Sequence, residues 1–344
     1  MRFFHQLLLA TFALFVPAIA SAHVAYVVDA TDVVGHTGGD FHFLFSAFTD
    51  PQNATIFVLS IMTIMILHEI CIHTKALREY CEKLKKHFLT YENYLPALIR
   101  FCLGVALIGA GMSGALISPV INASGSIATL EIWAGFCLML GFLMVPWLIV
   151  SLGLYAIALI AHPYALGNFE FVGLVVALFA LGDSRPGLDD TLGISLFNLF
   201  GMPRRWFELM LRASIGITMM FLALYEKFLN PHLTELVVNN YHLTNYVHVS
   251  PAMWVLSAGL IEFLVGLMIL IGFHTRLVSV IAFLVVTTTF FFFKEISYAH
   301  IGLFGVLSIL VMTGGGEMSV DAMYRKTTKI LRPRTRTARR SKTT

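Results

Sequence analysis

Apolar residues in this chain are gathered into long runs, without the alternation that marks helices or strands facing water. Nine of these runs can each cross a bilayer as a helix, which takes about 20 residues. The runs lie near residues 55–73, 97–117, 123–142, 147–161, 168–182, 210–229, 252–273, 277–293 and 299–313. The pattern therefore predicts an all-α membrane protein.

The composition supports this prediction. Of the 344 residues, 58% are hydrophobic and 12% are charged. Soluble domains carry about 25% charged residues, so this chain has too little charge to cover a surface in contact with water. We expect the lipid bilayer to be its main partner. The four cysteines form no CxxC pair, which gives no support to a disulfide framework.

The first 22 residues have the pattern of a secretory signal peptide. Arg2 precedes an apolar run that extends from Leu7 to Ile19, and small residues at Ala20 and Ala22 form a cleavage site. Cleavage would make His23 the mature N-terminus and leave residues 23–54 as an extracytoplasmic segment. An uncleaved anchor helix is the alternative interpretation.

Basic residues predict the orientation in the membrane. Lys and Arg are concentrated in the segment that follows the first span, within residues 55–96, and in the tail 323–344. Basic residues favour the cytoplasmic side, so we expect a multi-pass protein of the inner (cytoplasmic) membrane with its mature N-terminus outside and its C-terminus cytoplasmic. No aromatic residues interleave the charges of the tail to stack on bases, so no nucleic-acid partner is predicted.

An internal repeat divides the rest of the chain. The matching positions, in the first and then the second copy, are Arg100 and Arg212, Gly104 and Gly216, Pro119 and Pro231, Glu131 and Glu262, Gly141 and Gly272, and Asp189 and Asp321. Each copy contains four predicted spans, so both enter the membrane from the same side as parallel repeats. The sequence predicts two four-helix units at 97–190 and 205–322, preceded by one extra transmembrane helix and a cytoplasmic linker within 55–96.

Three short segments of the second copy resemble the DoxX family of membrane proteins. They are the stretch from Arg212 to Pro231 with its Tyr225-Glu226-Lys227-Phe228 motif, the stretch from Ala258 to Arg276, and the ending Gly314 to Asp321. The resemblance covers about residues 210–321, and residues 97–190 more weakly. It implies a four-helix membrane bundle, present here in tandem because of the internal repeat, and a relation to quinone-linked oxidoreductases such as the membrane subunit of the thiosulfate:quinone enzyme.

The resemblance leaves the activity open, because the same fold is similar to membrane chaperones and cargo receptors. We expect an accessory or quinone-facing subunit of a membrane redox system, with no tightly bound cofactor. A quinone is then the candidate substrate, and a soluble or membrane redox protein is the candidate partner. The alternatives are a small-molecule or proton-coupled transporter, and a membrane chaperone or scaffold without catalysis. Whether the protein is an enzyme stays open.

The candidate catalytic residues are Glu262, Lys227 and Glu226. A charged side chain near the middle of a membrane helix costs about 2.5–3.5 kcal/mol on insertion scales, so Glu262 should face the bundle interior. Lys227 and Glu262 differ in depth by roughly six residues, or about 9 Å. We therefore expect water or a ligand headgroup between them. The structural alternatives are a carboxyl bonded to neighbouring helices and a lysine that extends to the interface.

Four further residues are candidates for cofactor binding: His300, Arg276, Arg212 and Glu131. His300 begins the last span and could donate to a quinone carbonyl, although an interfacial histidine is more often solvated. Arg212 begins its span, where anchoring at the interface is the simpler explanation. Glu131 lacks the basic neighbours of Glu262, so the second copy should carry the site. The spacing of ligand residues predicts no metal site.

Overall fold

The computed structural model describes residues 24–28, 35–51, 90–182, 185–194, 196–197 and 202–324, with scattered positions between 53 and 88. The predicted signal peptide, most of the predicted span 55–73 and the basic tail beyond residue 324 lie outside the described residues. The extra transmembrane helix and the cleavage site therefore stay predictions.

The described part of the chain is mainly helical. In chain order its helices are α1 (Val24–Val27), α2 (Phe41–Ser46), α3 (Leu95–Met112), α4 (Gly125–Leu140), α5 (Met144–Ala161), α6 (Glu170–Leu181), α7 (Leu188–Thr191), α8 (Trp206–Leu222), α9 (Pro231–Asn240), α10 (Pro251–Ile271), α11 (Thr275–Phe293) and α12 (Ser297–Thr313). Short 3-10 turns at Glu92–Tyr94, Pro163–Asn168 and Leu243–Asn245 precede α3, α6 and α10.

Eight of these helices are strongly apolar and coincide with predicted spans. Five segments are long and apolar enough to cross a membrane: Glu92–Met112, Met144–Ala161, Trp206–Leu229, Pro251–Ile271 and Thr275–Phe293. Shorter apolar helices are Gly125–Leu140, Glu170–Leu181 and Ser297–Thr313. The prediction of several membrane-crossing helices is confirmed for the described residues.

Close backbone contact joins the first two strongly apolar helices of each half of the chain, α3 with α4 and α8 with α10. A Cβ atom added to Gly216 of α8 would lie 2.8 Å from the carbonyl oxygen of Gly266 in α10. In the first half, a Cβ atom on Gly104 of α3 would lie 2.8 Å from the carbonyl oxygen of Gly135 in α4. Small residues let membrane helices approach each other in this way, so both helix pairs require glycine at the crossing.

The two halves pack against each other along four helices. Helices α6 and α8 are in contact, as are α12 and α3. Gly173 of α6 lies against Ser214 of α8, and Gly305 of α12 lies against Cys102 of α3. A continuous apolar core extends through both halves. Polar groups at the ends of α6, α8 and α12 are therefore brought close together.

The structure departs from the predicted spans between residues 112 and 125. The predicted span 97–117 ends earlier, at Met112, and a two-stranded antiparallel hairpin follows, with β1 at Ala115–Leu116 and β2 at Ser118–Asn122. Gly114 (φ 69°) and Ile117 (φ 59°) take left-handed backbone conformations, which end the helix and reverse the chain. The hairpin occupies the place that a π-helical turn takes in the second half.

Candidate functional site

A π-helical segment, Ala223–Leu229, continues α8 and carries two adjacent charged residues. Glu226 and Lys227 are both buried, with 1% and 0% of their surfaces exposed. Single π-helical turns are rare and occur often at functional sites. The wider turn reduces the angle between consecutive side chains, so Glu226 and Lys227 both reach the interior.

Side chains of the following residues satisfy the free carbonyl groups of this segment. Asn230 Nδ2 donates to the carbonyl oxygen of Tyr225 at 2.8 Å, and Thr234 Oγ1 donates to that of Glu226 at 3.0 Å. Pro231 begins α9 and has no backbone N–H to continue the hydrogen-bonding pattern. The sequence around Asn230 and Pro231 thus stabilises the unusual helix end.

Lys227 lies between two carboxylates. Its ammonium nitrogen is 2.9 Å from Glu226 Oε2 and 2.8 Å from Glu262 Oε2. The expectation that water or a ligand headgroup would separate Lys227 from Glu262 is wrong. The reason is Gly259, one turn before Glu262, where an added Cβ would lie 2.9 Å from Lys227 Cβ. Because Gly259 has no side chain, the aliphatic part of Lys227 packs directly against α10. The ammonium group then reaches Glu262 on the following turn of that helix.

Glu226 joins three separate parts of the chain. Its Oε1 atom accepts a hydrogen bond from the hydroxyl of Tyr164 and another from the backbone N–H of Val24 at 3.1 Å. Tyr164 belongs to the 3-10 turn before α6, and Val24 begins α1. The carboxylate therefore connects the first half, the second half and the N-terminal segment.

His300 is buried and paired. Its Nε2 atom lies 2.6 Å from Glu295 Oε2, and its Nδ1 atom lies 3.1 Å from the carbonyl oxygen of Ile296. Only 3% of its surface is exposed, so the alternative of a solvated interfacial histidine is wrong. Both ring nitrogens are engaged, and a quinone carbonyl would have to displace Glu295 to reach Nε2.

Glu295 and Glu170 were not predicted as site residues. Glu170 Oε2 accepts from Thr218 Oγ1 at 2.9 Å, and the charges of Glu170 and His300 are close enough to interact. Glu295 is similarly close to Glu262. The available signal was an acidic residue inside the predicted span 168–182 and another just after the predicted span 277–293. Only the folded chain reveals that the two residues share one neighbourhood.

These residues form one group, which we call the buried charge cluster. It consists of Glu170, Glu226, Lys227, Glu262, Glu295 and His300, each at most 5% exposed. Four carboxyls face two basic groups, so two negative charges would remain if all six were ionised. Uncompensated charge is costly away from water. Binding of protons by the carboxyl groups would balance this charge, so the cluster has the chemistry of a proton acceptor and donor.

Glu131 occupies the position in the first half that Glu262 occupies in the second, but its donor differs. It is fully buried, and its Oε1 atom accepts from the backbone N–H of Ile117 at 2.9 Å. The hairpin residue Ile117 thus supplies an uncharged donor where the second half supplies Lys227. The partner of Glu131 in this contact is therefore an uncharged backbone N–H group, which is a structural contact.

Arg212 binds the ends of other segments. Its guanidinium donates to the carbonyl oxygens of Leu270 at 2.7 Å and Met318 at 2.8 Å, and the residue is 1% exposed. Leu270 lies in the last turn of α10, where free carbonyls and the helix dipole favour a cation. Arg212 is therefore buried between the ends of other segments, and its role as an anchor at the membrane interface stays a prediction. Arg100 donates in the same manner to the carbonyl oxygen of Pro186.

Arg276 completes the end of α12. Its Nε atom donates to the carbonyl oxygen of Val311 at 3.1 Å, and its Nη2 atom donates to those of Met312 at 3.1 Å and Thr313 at 2.8 Å. These carbonyls belong to the last turn of the helix and have no partners within it. Arg276 is thus separated from the buried charge cluster by the length of α12.

A pair of aspartates makes the same contacts in each half. Asp189 accepts from the backbone N–H groups of Leu143 and Met144 at 2.7 and 2.9 Å. Asp321 accepts from those of His274 and Thr275 at 2.8 and 3.0 Å. The backbone N–H of Asp189 also donates to the carbonyl oxygen of Gly141, which follows α4. The backbone N–H of Asp321 donates in the same way to that of Gly272, which follows α10. The carboxylates cap α5 and α11 and tie each half closed.

The apolar helices and their buried charged residues define an integral membrane protein that crosses the bilayer several times. Residues 207–295 match the DoxX family. No curated protein and no solved structure matches the chain. The match begins within α8 and ends at Glu295, so it includes Lys227, Glu226 and Glu262 and leaves His300 and Glu131 outside. Among the described residues, no group of His, Cys, Asp or Glu is arranged to hold a metal ion.

Proposed function

We propose that this DoxX-like protein is an accessory subunit of a membrane redox system in which the buried charge cluster accepts and releases protons. The observation that supports it is the position of Lys227 between Glu226 and Glu262, with Glu295 and His300 nearby. Intramembrane ionisable residues are expensive to insert and commonly mark proton relays or ligand sites.

Quinone chemistry gives such a cluster a purpose. Reduction of a quinone to a quinol consumes two electrons and two protons, and oxidation returns them. Electrons come from a redox partner, whereas protons must cross an apolar region on carboxyl, ammonium or imidazole groups. The cluster contains all three kinds of group. A quinone as substrate, without a tightly bound cofactor, is consistent with this role.

We assign different roles to the two carboxylates beside Lys227. Glu226 accepts hydrogen bonds from the ammonium group of Lys227, the hydroxyl of Tyr164 and the backbone N–H of Val24. Glu262 is paired with Lys227 alone and lies near the further carboxyl groups of Glu226 and Glu295. The proposal is that Glu226 fixes the lysine and Glu262 carries the exchangeable proton.

The proposed architecture is a tandem duplication of a four-helix unit, at 97–190 and 205–322. The repeated contacts of Asp189 and Asp321 support it, as do the matching close approaches of Gly104 and Gly216. We further propose a cleaved signal peptide and an inner-membrane location, with the mature N-terminus outside and the C-terminus in the cytoplasm. The distribution of basic residues supports this orientation.

A scaffold or chaperone without catalysis is the second candidate. It is favoured by the contacts of three predicted binding residues, because Arg212 and Arg276 bind helix ends and Glu131 binds the backbone of Ile117. A proton-coupled transporter would use the same cluster but must open it to both sides of the membrane in turn. The redox subunit and the scaffold differ in one testable respect. Only the redox subunit requires Glu262 to bind and release a proton.

Glu262→Gln and Glu131→Gln form a matched pair of variants for testing this. Infrared difference spectra after a pH jump in lipid vesicles should contain a carboxyl C=O band that disappears in Glu262→Gln and persists in Glu131→Gln. Quinone-linked electron transfer in native membranes, per inserted protein, should fall strongly only in Glu262→Gln. Equal tolerance of both substitutions, with the band unchanged, would favour the scaffold.

A further inference from the structure

A cavity of about 450 Å³ lies beside the start of α8, at one end of the helix bundle. Its lining comes from two segments. The residues before and within the first turn of α8 form one wall, and a residue of the loop after α12 forms the other. The lining residues are Pro203, Arg204, Arg205, Glu208 and Glu317. None of them belongs to the buried charge cluster, so the cavity is a separate candidate site.

Aromatic side chains place this cavity at the level of the lipid headgroups. Two segments that are long and apolar enough to cross a membrane, Trp206–Leu229 and Glu92–Met112, begin here, and an ion pair joins their starts. Trp206 is 36% exposed, and Tyr91 and Tyr94 beside the second segment are exposed as well. Tryptophan and tyrosine are enriched where a membrane meets water. The cavity therefore lies where the headgroups of one leaflet are found.

Two of the charged lining residues have partners within the protein. Arg204 forms an ion pair with Glu92. The carboxyl of Glu208 lies close to the charges of Arg204 and Arg212. A Cβ atom added to Gly316 would lie 3.0 Å from Glu208 Oε2, so the loop after α12 packs against this carboxyl. These contacts hold the two walls of the cavity together.

The other two charged residues of the lining offer their charges to a ligand. Arg205 and Glu317 are both exposed. Within the part of the chain that the structure describes, neither side chain forms an ion pair or a hydrogen bond. The cavity thus presents one positive and one negative group from two different segments. A simple anion would meet the carboxylates of Glu208 and Glu317, whereas a molecule that carries both charges would match both walls.

We propose that this cavity binds the zwitterionic headgroup of an aminophospholipid, with Arg205 on the phosphate and Glu317 on the primary ammonium group. A guanidinium donates well to phosphate oxygens. A primary ammonium group has three N–H donors for a carboxylate. The lipid would join the start of α8 to the loop after α12. This inference does not depend on a redox role, because it involves no residue of the buried charge cluster.

The chemistry of the headgroup distinguishes this lipid from others of the same shape. Phosphatidylethanolamine contains both the phosphate and the primary ammonium group. Phosphatidylglycerol lacks the cation, so it leaves Glu317 without a partner and brings a net negative charge next to two carboxylates. Phosphatidylcholine has a cation without N–H donors, so it cannot donate a hydrogen bond to Glu317. The proposal therefore predicts a preference for phosphatidylethanolamine over both.

The test is lipid binding to the intact purified protein, measured by native mass spectrometry from detergent micelles. Phosphatidylethanolamine, phosphatidylglycerol and phosphatidylcholine with identical acyl chains are titrated separately. The first lipid should bind about fivefold more tightly than the other two, as one added contact between exposed charges allows. Equal binding of all three lipids, or a preference for phosphatidylglycerol, would show a general lipid layer and overturn the proposal.

Single substitutions assign the two contacts. Glu317→Gln should abolish the preference for phosphatidylethanolamine, whereas Arg205→Gln should weaken binding of all three lipids, since each contains the phosphate. Asp190→Asn removes an exposed carboxyl outside the cavity and should leave the preference unchanged. All three side chains are exposed, so the variants should fold normally, which circular dichroism checks. A preference that persists in Glu317→Gln would overturn the proposal.

A soluble competitor separates a lipid from a free metabolite with the same charged groups. Glycerophosphoethanolamine has this headgroup without acyl chains. It should not displace phosphatidylethanolamine at equal concentration, because the acyl chains of the lipid add apolar contact with the membrane helices. Displacement at equal concentration would identify a soluble zwitterion as the ligand and overturn the assignment to a lipid.

Discussion

The ammonium nitrogen of Lys227 lies 2.8 Å from Glu262 Oε2, and this contact joins the π-helical end of one membrane helix to the middle of another. Both side chains are almost fully buried. In such a place the loss of one partner leaves the other as an uncompensated charge, which costs more than the pair contributes.

Replacement of Lys227 by methionine should therefore destabilise the protein by about 3–5 kcal/mol. Methionine keeps the apolar stem that packs against Gly259 but removes the charge between Glu226 and Glu262. The measurement is equilibrium unfolding in mixed detergent micelles, followed by circular dichroism. The control is Lys227→Met combined with Glu226→Gln and Glu262→Gln, which removes all three charges and should recover part of the loss. A single variant as stable as the wild type would contradict the importance of the pairing.

The approach of Lys227 to α10 depends on Gly259. A Cβ atom there would lie 2.9 Å from Lys227 Cβ and 3.0 Å from Phe228 Cζ. Gly259→Ala should cost about 1–3 kcal/mol, as overpacking does in tight interiors, and should weaken the ion pair. Gly153→Ala in α5 is the matched control, because no atom lies within 4 Å of its added Cβ. The control should be neutral or stabilising by up to about 1 kcal/mol; similar losses in both variants would show a general helix effect instead.

The positions of the membrane helices could largely be predicted from the sequence. The predicted spans 252–273 and 277–293 correspond to Pro251–Ile271 and Thr275–Phe293. Apolar runs determine where such helices form, and the glycine at position 272 ends the first of them with a positive φ of 73°. The hairpin at 115–122 could not be predicted, because its apolar residues are indistinguishable from the end of a membrane span.

The site was predicted in part. Glu226, Lys227 and Glu262 are indeed brought together, because charged residues in apolar helices must find partners inside the bundle. The direct contact between Lys227 and Glu262 was not predicted. The comparison of their depths assumed straight α-helices, and it neglected both the π-helical turn and the length of the lysine side chain. Glu170 and Glu295 were missed because their neighbours come from other helices, and linear sequence contains no information on which helices meet.

A pH-dependent contact should hold the N-terminal segment 35–51 against α9. His232 Nδ1 lies 2.6 Å from Glu235 Oε2, and its Nε2 lies 3.2 Å from Asp40 Oδ2. The hydrogen bond to Glu235 is the main cause that raises the pKa of His232 above its ordinary value of 6.5. The backbone N–H of Phe43, followed by His232, lowers the pKa of Asp40 below 3.8.

The signs of these shifts define a pH window. The contribution of His232 is complete below its ordinary pKa and is lost as the pH rises through its raised value in the folded protein. The contribution of Asp40 is present above 3.8 and is lost as the pH falls through its lowered value. Limited proteolysis within residues 35–51 should therefore be slower near about pH 5.5 than near about pH 8.5. His232→Gln should abolish the difference; a difference that persists in this variant would assign the effect to other groups.

Topology gives a separate prediction. Reporter fusions that are active only outside the cytoplasm should work near Tyr246, in the loop before α10, and should fail at Thr344. The basic tail from Arg325 onward is expected to stay in the cytoplasm because translocation of clustered Lys and Arg is disfavoured. An active fusion at Thr344 would reverse the proposed orientation, whereas expression levels at the two positions serve as the control.

The adjacency of Glu226 and Lys227 also has a consequence for biogenesis. Proteins are synthesised from the N-terminus, so the segment Trp206–Leu229 reaches the translocation machinery before Glu262 of α10 has been made. Each charge by itself would oppose partitioning of the helix into lipid. The two charged groups are 2.9 Å apart within one turn, so they can enter the membrane together as a neutral pair. Helix α8 can therefore enter the bilayer early, and the arrival of Glu262 then adds the extra acidic group to a site that is already in the membrane.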